Sequence, residues 1–248
     1  RRPSRKQIIG LNLTRAVREC LARHETRYDT PAAAEFPPGL CGPLEGQLVD
    51  LADEIAYTSA DLEDALASGL IAEGDLGHVA LWRRAHEAAR ADAPDARAIH
   101  QRIRAVKAVL SLPAEDLLAT TRGRLDAAGV RTVDDVRRAG RRLVGPSDAL
   151  RAELDELQTF LLERVYQHPL CRQRAARARR IVTELFDAFV ARPQRLPERY
   201  GRRVEAEGLR RVTCDYIAGM TDRFCRREYE RLVGPPPPEP HTVPGVGD

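Results

Sequence analysis

Apolar residues recur along this chain at three- and four-residue steps and nowhere in sustained alternation. Leu44, Leu48, Leu51, Ala52, Ile55, Leu62 and Leu66 share one stripe and predict a helix from about Leu44 to Ile71. Upstream, Leu13, Val17, Leu21 and His24 predict a short helix that Asn12 can cap. Downstream, Val79, Trp82 and His86 mark a helix with Asp75 as its candidate cap, and Ile99, Ile103, Val106 and Leu110 mark another over about 95–110. Pro113 suits the first turn of a further helix carrying Leu117 and Leu118 and ending near Gly129. Thr132 with Asp135 has capping-box spacing. Ser147 can cap a long helix through Leu150, Leu154, Leu157, Leu161 and Val165, which Pro169 interrupts. A basic helix with Ile181, Leu185, Phe186 and Phe189 on its apolar side follows, then a last helix from about Leu209 to Leu232 with Gly219 inside it. A glycine there destabilises a helix by about 1 kcal/mol relative to Ala, which close approach of another backbone would explain.

Proline and glycine divide the chain. Residues 26–43 read as a loop, 140–147 (Gly140, Gly145, Pro146) as a joint between two helical lobes, and the tail from Gly234 as extended or disordered. The fold class is therefore all-α, with no significant sheet.

Composition changes this picture little. The 248 residues suffice for one large domain or two smaller ones. Charged residues make up 31% and aromatics 5%, and a net charge of +3 does not demand a nucleic-acid partner. The five cysteines are odd in number and lack Cys-x-x-Cys spacing, which argues against a disulfide framework and a zinc site and fits a reducing, cytoplasmic setting. No apolar run approaches the ~18 residues of a membrane span.

The chemistry concentrates in Leu51-Ala-Asp-Glu-Ile-Ala-Tyr-Thr-Ser-Ala-Asp61 and its flanks. Asp50, Asp53, Tyr57, Asp61 and Asp64 lie opposite the apolar stripe, so a phenol sits between carboxylates one turn away. Spacing alone fits a metal ligand beside a nucleotide clamp, but a solvated polar face is the plainer reading. Arg172, Arg174, Arg177, Arg179 and Arg180 could hold phosphates or single-stranded nucleic acid. With little aromatic interleaving, a solvated basic face is the plainer reading.

The acidic segment resembles the Ala-Asp-Asp-Ile-Ala-Tyr stretch of the deoxynucleoside triphosphate triphosphohydrolases, within the histidine-aspartate (HD) metal phosphohydrolases. Arg164-Val-Tyr-Gln-His-Pro169, Asp215-Tyr-Ile-Ala-Gly-Met-Thr-Asp-Arg223 and, more weakly, Gly10-Leu-Asn-Leu-Thr14 resemble further elements of that family, in its order. The resemblance implies the later part of an HD-type fold: residues 1–140 as the second half of the catalytic helical domain, 141–233 as the phosphohydrolase-associated region, and 234–248 as a disordered tail. It implies a protein that converts a dNTP and water to deoxynucleoside and triphosphate with a divalent metal such as Mg or Mn, and that forms homo-oligomers. On this resemblance Asp53 is the metal ligand, Tyr57 and Asp61 hold the sugar, and Tyr166, Gln167 and His168 line the nucleoside end. Asp50, on the same polar face, is expected to be replaceable at little cost.

Two departures stand out. Ala60-Asp61 stands where the family commonly has His-Asp. None of His24, His78, His86, His100, His168 and His241 is followed by Asp, so the family's His and His-Asp ligands, which lie upstream of the acidic helix, are not in this chain. The expectation is a chain that is inactive alone and corresponds to the later part of a longer protein. The rival readings are a non-catalytic helical module for oligomer contacts or regulation, and a helical nucleic-acid-binding protein.

Overall fold

A computed structural model describes residues 11–24 and 34–240, and Gly10, residues 26–33 of the 26–43 loop and His241 lie outside them. Among the described residues every regular element is helical and none is a strand. The chain forms two compact units, residues 1–162 and 163–248.

In the first unit, α1 (Arg15–Ala22), α2 (Leu44–Ala67), α3 (Ala80–Asp92), α4 (Ala98–Ala127), α5 (Val133–Arg138) and α6 (Asp148–Leu161) follow one another. The core lies where α3 packs on α4 and α6, and α2 on α4. Leu62, Val79, Leu81, Trp82, Val109, Leu150, Leu154 and Leu157 are buried there. The α6 stripe is buried at every position named from sequence, through Leu161 and on to Val165.

Several caps match the sequence reading. Thr132 Oγ1 accepts the Asp135 amide (3.2 Å) while Asp135 Oδ2 accepts the Thr132 amide (2.8 Å), closing the box that starts α5. Ser147 Oγ accepts the Leu150 amide (3.2 Å) at the start of α6. Two other caps differ. Thr14, not Asn12, caps α1. Asp75 Oδ2 accepts the Ala72 amide (2.8 Å) in a 3-10 turn, Glu73–Leu76, while the first amide of α3, on Ala80, donates to Glu156 Oε2 of α6 (2.7 Å). A tertiary carboxylate thus does what a local cap was expected to do.

Three helical stripes are displaced from the sequence reading. On α1, Val17 and Leu21 are exposed and Glu19 is the buried residue, bonded to Arg23 (2.9 Å) and Arg137 (2.6 Å). On α4, Ile99, Ile103 and Leu110 are exposed, and Ala105, Val106, Val109 and Leu117 face inward. Gln101 and Thr121 are buried on the same inward face, which hydrophobicity counting ignores. On α2, Leu48 and Ala52 are exposed and the inward face begins with Gly46 and Gln47. Helix α4 also runs through Pro113, so no new helix starts there. Pro113 is itself buried, and that burial helps offset the lost amide bond.

The expected joint at 140–147 is packed inside the first unit. Leu143 and Val144 are buried and donate their amides to Gln47 Oε1 of α2 (2.9 and 3.3 Å).

The second unit contains α7 (Pro169–Ala191), the short α8 (Glu198–Gly201) and α9 (Val204–Glu207), α10 (Leu209–Ala218) and α11 (Asp222–Leu232). Ile181, Leu185 and Phe189 of α7 close a core with Leu196, Val212, Tyr216 and Tyr229. The expected last helix is two. Gly219 ends α10, and Thr221 Oγ1 accepts the Phe224 amide (3.3 Å) to start α11. Gly219 is a helix end, not a close crossing. The described part of the tail, 234–240, has no regular secondary structure and is held by Arg177, whose Nε donates to the Pro237 carbonyl (2.7 Å).

Candidate functional site

Helix α2 carries the candidate site, and its rigidity comes from polar anchors as much as from its core face. Gln47 is buried and bonded on both amide atoms, since its Nε2 donates to the Gly42 carbonyl (2.9 Å). Ser59 Oγ donates to the Val106 carbonyl of α4 (3.2 Å). The helix stops at Ser68, and Gly69 takes the positive φ (69°) that turns the chain away.

Asp50, Glu54, Tyr57 and Asp61 stand at steps of four, three and four, so they run along one border of α2 between core and solvent. Asp50 is not the loosely held acid expected from sequence. Its carboxylate is only 8% exposed and is shared between His24 Nδ1 (2.5 Å) and an Arg142 NH2 group (2.5 Å). Glu54 accepts from both Arg151 NH groups (2.7 and 3.4 Å) and from Gln158 Nε2 (2.9 Å). The Glu54 hydrogen bond raises the Arg151 pKa against the opposing effect of burial, so the guanidinium stays charged. Two acids of the border therefore hold α2 to α1, α6 and the 140–147 segment.

The residues assigned to substrate are placed differently. Asp53 is exposed, one turn before Tyr57, and its carboxylate makes no ion pair with another described residue. Tyr57 and Asp61 are half-buried on the border itself. Ala60, where the resemblance leads one to expect a histidine, is exposed.

Tyr166, Gln167 and His168 fall in the second unit. A π-helical turn, Leu162–Tyr166, follows α6, a local geometry that recurs at functional positions. It buries Val165 and leaves Tyr166 and Gln167 exposed. His168 has a structural task as well: its Nδ1 accepts the Leu170 amide (3.3 Å) and caps α7, whose first residue is Pro169.

Sequence reasoning missed His24, Arg142, Arg151 and Gln158. The last two could have been found as polar residues within an otherwise leucine-rich helix, α6. Arg142 had no signal beyond its basic neighbours.

Among the described residues, no three His, Cys, Asp or Glu side chains gather as a group that could hold a metal ion. The described residues thus do not by themselves fit the metal centre that the resemblance implies.

Residues 144–231 match the family model of the phosphohydrolase-associated domain. The chain is 38% identical over 228 residues to a deoxyguanosinetriphosphate triphosphohydrolase-like protein of Geobacter sulfurreducens, a match covering 91% of this chain and 59% of that protein. It is 39% identical over 227 residues to a protein of the same name from Azoarcus, covering 90% and 59%. A third, from Cereibacter sphaeroides, is 35% identical over 241 residues, covering 92% and 64%. The chain thus spans about three fifths of the length of these relatives.

Proposed function

We propose that this chain, which is similar to the deoxyguanosinetriphosphate triphosphohydrolase-like proteins and whose residues 144–231 match the phosphohydrolase-associated domain, contributes the sugar-holding wall of a dNTP triphosphohydrolase. The reaction is hydrolysis of the bond between O5′ and the α-phosphorus, which releases deoxynucleoside and triphosphate. The observation that carries the reading is the α2 border, where Tyr57 and Asp61 lie half-buried one turn apart on a helix anchored by Asp50 and Glu54.

In this reading the Tyr57 ring packs under C2′ of the sugar. A 2′-hydroxyl there would lose water and gain no partner, which penalises ribose. Asp61 accepts a hydrogen bond from the 3′-hydroxyl. Tyr166 stacks on the nucleoside, and Gln167 offers a donor and an acceptor to a base edge. His168, by capping α7, fixes the turn that presents them.

Asp53 supplies one carboxylate toward a divalent cation such as Mg or Mn. The remaining ligands would have to lie outside the described residues, so no step of the reaction is assigned to a metal. The substrates are deoxynucleoside triphosphates, and the complete protein acts in the cytoplasm as a homo-oligomer. No helix among the described residues is long and apolar enough to cross a membrane.

Competition between dGTP and GTP in the complete protein tests the reading. Tyr57→Ala should erode the preference for the deoxy substrate by about tenfold or more, the scale of one lost steric or polar contact. Unchanged discrimination would remove Tyr57 from the sugar site.

A further inference from the structure

Arg177 stands apart from the other arginines of α7. Arg172, Arg174, Arg179 and Arg180 are exposed, but the Arg177 side chain is only 12% exposed. It is covered by the tail. Its Nε donates to the Pro237 carbonyl (2.7 Å), and its NH1 lies 3.1 Å from Glu239 Oε1. Arg226 NH1, from α11, reaches the same oxygen at 3.1 Å. Two guanidiniums from two helices thus converge on one carboxylate oxygen brought by the chain's own tail, within one unit. Pro235, Pro236, Pro237, Pro238 and Pro240 keep that tail extended at little entropic expense, so Glu239 is delivered by a stiff arm.

This geometry is that of an anion site with a resident occupant. Paired guanidiniums favour carboxylate and phosphate oxygens, and phosphate brings more charge and more acceptors than Glu239 does. Glu239 is 58% exposed and Arg226 50%, so solvent screens the contact and a stronger anion can displace it. Arg223 and Arg227, beside Arg226 on an open cleft of α11, add positive charge near the mouth. Asp222 and Glu230 line the same cleft and oppose a long anionic track, which favours a compact ligand over a polymer.

We propose that Arg177 and Arg226 form a site for a terminal phosphate group of a small polyphosphate, occupied at rest by Glu239, so that ligand binding and tail release are one event. The site lies in the second unit and does not rest on the sugar-wall reading.

Titration calorimetry of the full chain with inorganic tripolyphosphate at low ionic strength tests this. Glu239→Gln removes the competitor's charge and should tighten binding about fivefold, as expected if the tail closes the site in about four molecules of five. Arg226→Gln, at a half-exposed position that leaves the core untouched, should weaken it about tenfold. Arg177→Gln should do the same, with a circular dichroism spectrum to confirm folding. Equal affinity of wild type and Glu239→Gln, or weaker binding by that variant, would refute tail occupancy. Equal affinity of wild type and Arg226→Gln, or no binding by any variant, would refute the site.

Discussion

Asp50→Asn is expected to destabilise the first unit, and Asp53→Asn, three residues on, is expected not to. The Asp50 carboxylate is nearly buried and takes two charge-assisted bonds, from His24 and Arg142. Asparagine keeps the volume and one acceptor, but turns an amide donor toward a second donor. Breaking a fully buried pair would cost about 3–5 kcal/mol. Here the partners are 37% and 41% exposed and regain water when released, so the loss sits near that of a hydrogen bond to a charged group, about 2 kcal/mol. For a unit of this size that is about 4–8 °C in Tm. Asp53 is exposed, and its amide should fall within about 0.5 kcal/mol of wild type. The single tryptophan, Trp82, is buried in the first unit, so its fluorescence in urea reports that unit alone. A Cm for Asp50→Asn indistinguishable from wild type, or an equal loss for Asp53→Asn, would refute the division of α2 into anchoring and presenting acids.

The purified chain, supplied with dGTP and Mn²⁺ or Mg²⁺, should release no triphosphate above background, because its described residues gather no metal-ligand group; turnover that depends on added metal would overturn this. In the complete protein, Tyr166→Ala should raise KM more than it lowers kcat, since the exposed ring is assigned to binding, and an unchanged KM across all four dNTPs would count against that role. Acid should weaken the first unit partly through Asp116. Burial opposes its ionisation, but the Ser147 amide (2.8 Å) and hydroxyl (2.7 Å) outweigh it and lower its pKa. Its stabilisation is therefore complete above the ordinary carboxylate range and is lost as pH falls through the lower folded value. Asp116→Asn should flatten the decline of the urea midpoint below about pH 4, where an ordinary Asp titrates; an identical decline in both proteins would contradict the assignment.

Helix existence was legible wherever leucines repeat and a cap stands before them, as with Ser147 and α6. Helix faces were less so. The stripes of α1 and α4 were misplaced because Glu19 and Gln101 face inward, and periodicity counts only apolar side chains. Pro113 and Gly219 were each read by local rule, and each went the other way. Packing carries α4 through the proline, while a Thr221 cap splits the last helix at the glycine. At the candidate site, spacing along α2 was enough to align Asp50, Tyr57 and Asp61. It gave no means to separate Asp50 from Asp53, because that difference lies in His24 and Arg142, 26 and 92 residues away.

The crossing of α1 over Gly46 makes Cys20 a chemical clock. A Cβ on Gly46 would lie 2.9 Å from the Cys20 sulfur and 3.4 Å from its backbone, so the thiol is seated directly against α2. Burial, with Glu45 and Glu19 nearby, raises its pKa and keeps it in the unreactive protonated form. Cys20 is partly buried, so its alkylation is expected to be slow and to quicken when α1, the helix that brings His24 to Asp50, departs. Cys214, exposed, would react at once and mark time zero. Comparing the two modifications with and without the Asp50 anchor then reports local opening of α1, a motion that global melting does not contain.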